Sequence, residues 1–209
     1  DENQPFRTYT GTIYYALYDA STGALKRESE IVQINGEDKE YTISFAGIPD
    51  GDYKLAVWGN LTTDYPADIL HQDGKEHTDI YVATRVLHFS PEYQTEELTL
   101  ERTKGKLLLL CSNFPAEISR IEQHVNHVYQ SVDADLNYSG STQVDKSVPF
   151  TNMLETLLAP SSVDGHSKLA LTFYATDTRA SESPYLKLPE MEVDMRRNEI
   201  TAVSIDYNT

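Results

Sequence analysis

Short runs in which apolar and polar residues alternate, separated by turn-forming residues, recur along the whole chain. In an early run, Ile13, Tyr15 and Leu17 share one side of an extended backbone. The chain also has 14 tyrosines and abundant threonine and valine, residue types that favour strands. This pattern predicts an all-β protein.

The charge of the chain restricts the classes of partner. Among 209 residues, 33 are acidic and 17 are Lys or Arg, which gives a formal net charge of -16. This charge repels phosphate backbones and anionic headgroups, so we expect no nucleic-acid partner and no direct contact with lipid headgroups. The sequence has no apolar stretch long enough for a membrane-spanning helix.

A Pro-Asp-Gly turn at residues 49–51 lies between two alternating runs, at 41–45 and 53–58. Pro and Gly suit the geometry of a tight turn, so we expect these runs to form a β-hairpin. On the second run, Trp58 falls on the face opposite the main apolar row. It is our candidate contact aromatic, with two interpretations: packing at a sheet or domain edge, or stacking against a sugar.

A charged, glycine-containing break at residues 102–106 indicates a domain boundary near residue 103. The apolar run that follows, at 107–111, predicts a strand buried on both faces that begins a second core. We therefore expect domains at 1–103 and 104–209. Each is large enough to fold as a β-sandwich of about seven strands.

One segment, 118–132, is ambiguous because its apolar residues recur at helical spacings of three and four. These residues are Ile118, Ile121, Val125, Val128 and Val132. Because all five are β-branched, we favour a strand. His124 and His127 could bind a metal on a helix, but would lie on opposite faces of a strand.

No catalytic motif or calcium loop stands out, and we predict no catalytic residues, no metal site and no cofactor. Carboxylate pairs such as Asp133 with Asp135 are weak signals of hydrolysis. The single cysteine, Cys111, has no partner for an internal disulfide and lies in an apolar run, so we expect a buried, unreactive side chain.

The C-terminal stretch alternates with a clear period of two. Four residues share one face and form our candidate interface strand: Thr201, Val203, Ile205 and Tyr207. Two interpretations stay open. The stretch is either the last strand of the second sandwich, or an edge to which a partner adds a strand.

Four segments together resemble the fimbrial anchor and minor-fimbrillin family of Bacteroidales. They are IPDGDYKLAVWGN (48–60), ADILHQD (67–73), LTLERTKGKLLLL (98–110) and LPEMEVDMRRNEITAVSIDY (188–207). The resemblance implies two tandem transthyretin-like β-sandwich domains in a lipid-anchored outer-membrane protein at the cell surface. It also implies association with fimbrial or pilin subunits that join by donating a strand. The chain starts at Asp1, and we expect the signal peptide and lipid-carrying cysteine upstream of it.

These observations lead to two functional hypotheses. The first is a non-enzymatic fimbrial anchor or accessory pilin that meets the membrane only through its lipid. The alternative is a surface glycan-binding lipoprotein module, since tyrosines and Trp58 could supply stacking surfaces.

Overall fold

The computed structural model describes residues 3–176 and 182–208. They form two compact units. Unit 1 comprises residues up to 68, together with 79–102 and 133–137, and unit 2 comprises the rest. In the described ranges, one helix of four residues occurs and all other elements are strands, so the protein is all-β. The division into independent domains at residue 103 stays a prediction.

Unit 1 is built on one six-stranded antiparallel sheet. Its elements are α1 (Phe6–Tyr9), β1 (Thr12–Asp19), β2 (Leu25–Glu28), β3 (Val32–Gln33), β4 (Gly51–Gly59), β5 (Tyr81–Phe89) and β6 (Glu101–Arg102). The strand order is β2-β1-β4-β5-β6, and β3 also pairs with β1. The long strand β4, which pairs with β1 on one side and β5 on the other, therefore lies in the middle of the sheet.

The core of unit 1 lies on one face of this sheet. Its buried residues are Ile13, Leu17, Tyr53, Leu55 and Val57, as the alternation in β1 and β4 predicts. Segments without strand pairing cover it with half-buried side chains, among them Ile43, Phe45, Leu98 and Leu100. One layer of unit 1 is thus a sheet, and the described part of the other consists largely of segments without strand pairing.

The predicted hairpin between 41–45 and β4 is wrong. β4 pairs with β1 on one side and with β5 on the other, so neither of its edges is available to residues 41–45. The alternation in that segment still predicts burial correctly. The Phe45 ring packs edge-on against Tyr15 and Phe89, with ring centroids 5.5 and 5.8 Å apart.

The described residues of unit 2 form three sheets. Its strands are β7 (Gly105–Ser112), β8 (Ile118–Val128), β9 (Ser131–Val132), β10 (Tyr138–Ser139), β11 (Thr142–Pro149), β12 (Met153–Leu158), β13 (Ser167–Thr176), β14 (Glu182–Lys187), β15 (Met191–Val193) and β16 (Ile200–Asp206). One sheet has the order β11-β8-β13-β14, with β15 also paired to β13; a second has the order β12-β7-β16; β9 and β10 form a third.

The five-stranded and three-stranded sheets of unit 2 pack face to face. Gln123 of β8 donates a hydrogen bond of 2.9 Å to Thr156 Oγ1 of β12, and both side chains are buried. Leu107 and Leu109 of β7 are also fully buried. The prediction that β7 is buried on both faces is wrong, because Leu108 and Leu110 point to the outer face and are only half-buried.

The ambiguous segment is mostly the strand β8, which confirms the choice of a strand over a helix. At each end of β8 the pairing slips by one residue, at Ser119 opposite β13 and at His127 opposite β11. Each bulge inserts one residue and lengthens the spacing of buried residues from two to three. Two bulges in a strand therefore imitate the apolar spacing of a helix.

Candidate functional site: the free edge of the C-terminal strand

The C-terminal strand β16 lies at the end of the three-stranded sheet. It runs parallel to β7, from Ile200 beside Lys106 to Asp206 beside Ser112. Within residues 3–176 and 182–208, no strand pairs with its other side. An edge strand of this kind presents backbone N–H and C=O groups that another strand can bind.

The direction of these groups follows from two hydrogen bonds. The backbone N–H of Tyr207 donates to Ser112 O at 3.1 Å, and Glu199 O accepts from the N–H of Lys106 at 2.9 Å. Residues two apart in a strand point their backbone groups the same way, so the odd-numbered residues of β16 bond to β7. The backbone groups of Ala202 and Ser204 therefore point to the free edge.

The predicted interface residues share one face of the strand. Thr201, Val203 and Ile205 are half-buried on the side of the core, whereas the residues between them are exposed. Tyr207 follows the end of the strand and is 38% exposed. The core is thus incompletely covered along β16.

Aromatic side chains continue this half-covered surface toward β14. The rings of Phe114 and buried Phe173 lie 4.5 Å apart, and Tyr207 lies 5.5 Å from Phe114. The hydroxyl groups of Tyr207 and Tyr185 are hydrogen-bonded at 3.1 Å, which raises the pKa of Tyr185. Sequence reasoning missed Phe114 and Tyr185, because both are distant from β16 in the chain.

Side-chain hydrogen bonds fix both ends of β16. Thr201 Oγ1 donates to Asp194 O at 3.1 Å, and Asn113 Nδ2 donates to Asp206 Oδ1 at 2.9 Å. The bond from Asn113 lowers the pKa of Asp206, so this carboxylate stays ionised at neutral pH. The strand is therefore held in place before any partner binds.

The other candidate, Trp58, lies in unit 1, on the face of β4 opposite the core. It pairs with Tyr14 of β1 and Val82 of β5, and only 6% of it is exposed. It lines a groove of about 530 Å³ together with Tyr14 and Tyr18. Trp58 is thus a wall of this groove and not an exposed platform.

Charged groups surround the same groove. Its lining includes Asp19, Asp68, Asp133 and Asp135, with Lys54 as the one Lys or Arg among its described residues. Lys54 Nζ forms an ion pair of 2.5 Å with Asp135. Hydrogen bonds from Ser21 and the backbone lower the pKa of Asp19 to about 2. The groove therefore has an acidic rim beside its aromatic wall.

The histidines and the cysteine have structural surroundings. His124 Nδ1 is hydrogen-bonded to Asp145, and His127 occupies the bulge of β8 with φ at 62°. Among the described residues, no three His, Cys, Asp or Glu side chains are placed to bind a metal ion. Cys111 is 6% exposed, and burial raises the pKa of its thiol to about 11. The prediction of a buried cysteine is confirmed.

No helix in the described ranges has both the length and the apolar character needed to cross a membrane. No protein-family model and no curated protein matches the sequence.

Solved structures do match the fold. A candidate adhesin from Bacteroides thetaiotaomicron superposes with a TM-score of 0.57 and 13% identity, over 97% of this chain and 86% of that one. A candidate polysaccharide-binding protein from the same organism gives 0.59 and 10%, over 84% and 72%. The fimbrial anchor protein Mfa2 from Porphyromonas gingivalis gives 0.48 and 15%, over 89% and 74%.

The matches to Bacteroides proteins confirm, at the level of the fold, the resemblance expected from the sequence. The chain is therefore similar in fold to adhesin-like proteins of Bacteroidales.

Proposed function

We propose that the protein is a cell-surface fimbrial anchor or accessory pilin, which holds a pilus subunit by strand addition to the free edge of β16. The observation that carries this proposal is the edge position of β16 above a half-covered apolar face. A donated strand would bond to the outward groups of Ala202 and Ser204. Its apolar side chains would complete the cover over Val203 and Ile205.

The fold similarity to adhesin-like proteins supports this function. We also propose that the chain consists of two tandem transthyretin-like β-sandwich domains, 1–103 and 104–209. A lipid attached upstream of Asp1 would hold them at the outer membrane. The protein would act by mechanical attachment and not as an enzyme. The backbone ladder and the buried apolar contacts of such a joint would make dissociation of the pilus subunit slow.

The test uses the major pilin of the same bacterium and two variants of one residue. Ser204→Pro removes an N–H that points to the free edge and leaves the ladder to β7 intact. Ser204→Ala changes only the side chain and serves as the matched control. We expect wild type and Ser204→Ala to bind the pilin in surface plasmon resonance, and Ser204→Pro to lose most binding. Wild-type affinity in Ser204→Pro, or no binding of the pilin by any of the three proteins, would exclude the proposed edge.

Glycan binding is the second candidate function, and the groove beside Trp58 is the observation that favours it. Tyr14, Tyr18 and Trp58 line the groove next to carboxylates, a combination that suits stacking and hydrogen bonding to a sugar. One protein of similar fold is described as a candidate polysaccharide-binding protein.

A glycan array distinguishes this function from pilus assembly. Trp58→Ala is unsuitable because removing a buried Trp costs about 3–5 kcal/mol of stability. Tyr18 is half-buried, so Tyr18→Ser tests the groove with less effect on folding. Glycan signals that disappear in Tyr18→Ser would support glycan binding, whereas an array without signals for the wild type would rule it out for the glycans tested.

A further inference from the structure

The second edge of the three-stranded sheet, formed by β12, is covered by side chains. The backbone groups of the even-numbered residues of β12 point toward β7. Leu154 pairs with Leu109, and the carbonyl of Asn152, just before the strand, accepts a hydrogen bond from the N–H of Cys111. The backbone groups of the odd-numbered residues therefore point away from the sheet. Without cover, β12 would be a second edge for strand addition.

At four successive odd positions, side chains hydrogen-bond to the outward backbone groups. Thr151 Oγ1 donates to Met153 O at 3.1 Å. Lys146 Nζ donates to Glu155 O at 2.7 Å, and the N–H of Leu157 donates to Glu76 Oε1 at 2.6 Å. The N–H of Ala159, just after the strand, donates to His71 Nε2 at 2.9 Å. These side chains occupy positions where a neighbouring strand would place its own C=O and N–H groups.

Two of the covering side chains come from the segment 69–78, which is itself fixed within unit 2. Lys146 Nζ bonds to Glu76 Oε2 at 2.7 Å, so one lysine joins the segment to the outward carbonyl of Glu155. Fully buried Lys104 donates to the carbonyls of Glu76 and Thr78 at 2.6 and 2.9 Å. The cover is therefore built into the unit and is not a chance surface contact.

We propose that His71, Glu76 and Lys146 form a clasp that closes the β12 edge of the three-stranded sheet to strand addition. An opened clasp would expose β12 to β12 of a second copy of this chain. When two identical strands pair antiparallel about a two-fold axis, each strand supplies hydrogen-bond partners for the outward backbone groups of the other. Met153, which is 56% exposed, and half-buried Leu157 would add apolar contacts across that axis. This inference does not depend on a pilin partner.

The experiment removes both members of the central ion pair, Glu76→Ala with Lys146→Ala, which leaves no unpaired charge behind. We expect light scattering after gel filtration to show a dimer that the wild type does not form. Adding Leu157→Pro, which deletes one outward N–H, should return the variant to a monomer. The matched control removes another ion pair of unit 2, Lys168→Ala with Glu192→Ala, and should leave the wild-type state unchanged.

A folded Glu76→Ala, Lys146→Ala variant that does not associate beyond the wild type would overturn the proposal. So would a dimer that persists after Leu157→Pro. Hydrogen exchange on the wild type gives a second test that needs no variant to fold. We expect the outward amide of Leu157, whose acceptor is the Glu76 carboxylate, to exchange about 10-fold or more slowly than an unprotected amide, as loss of a hydrogen bond to a charged group implies. Exchange at the rate of an open peptide would show that the clasp does not close the edge.

Discussion

Replacement of Gly105 by alanine should destabilise unit 2 at the point where β16 begins. A Cβ atom at this position would lie 2.1 Å from Arg196 O and 3.0 Å from Glu199 O, both backbone atoms, whereas ordinary contacts begin near 3.4 Å. The segment 196–199 would have to move by roughly an ångström. Its hydrogen bonds to Lys104 O and from the N–H of Lys106, both 2.9 Å, would be strained.

The cost follows from these contacts. Overpacking typically costs about 1–3 kcal/mol. Each weakened hydrogen bond adds about 0.5–1.5 kcal/mol. The sum is about 2–6 kcal/mol, which lowers Tm by at least about 4 °C in a chain of this size.

Urea unfolding of the two glycine variants measures this effect. The matched control is Gly11→Ala, because the nearest atom to its added Cβ is Asn60 Oδ1 at 3.8 Å. We expect Gly11→Ala to stay within about 1 kcal/mol of the wild type. Gly105→Ala with the same stability as Gly11→Ala would refute the argument that the turn before β16 packs tightly on β7.

Three further predictions concern titration and reactivity. Burial lowers the pKa of His71 well below its usual value, so below about pH 6.5 the unfolded chain binds a proton that the folded chain does not. The free energy of unfolding should therefore fall as the pH decreases below about 6.5. His71→Gln should flatten this dependence in urea titrations. Cys111, with a thiol pKa of about 11, should react with a thiol reagent only when unit 2 unfolds, and rapid labelling of the folded protein would contradict its burial. Tyr207→Phe should lower the pKa of Tyr185 toward its ordinary value in a spectrophotometric titration, while Tyr174→Phe, used as a control, should not.

Local patterns in the sequence predict much of the fold but not its pairing. The alternation in β4 predicts that Tyr53, Leu55 and Val57 face the core and that Trp58 faces away. The turn at 49–51 does not predict the neighbours of β4, because strand pairing depends on contacts between residues distant in the chain. β1 and β5 pair with the two edges of β4. The segment 41–45, which precedes β4 in the chain, contributes only side chains to the core.

The candidate site shows the same division. The period of two in the last strand predicts its inward face, since Thr201, Val203 and Ile205 do lie together. The clasp on the opposite edge has no signal in the sequence. Glu76 and Lys146 are 70 positions apart, and neither belongs to a recognisable motif. Only the fold places both side chains at the β12 edge.

Hydrogen exchange at β16, with and without the pilin, tests the proposed function most directly. The backbone groups of Ala202 and Ser204 point to the free edge, so their amides should exchange rapidly in the isolated chain. We expect strong protection of both amides in the complex, because a donated strand would bond to them. A stable complex that leaves Ala202 and Ser204 exchanging as fast as in the free protein would contradict strand addition at this edge.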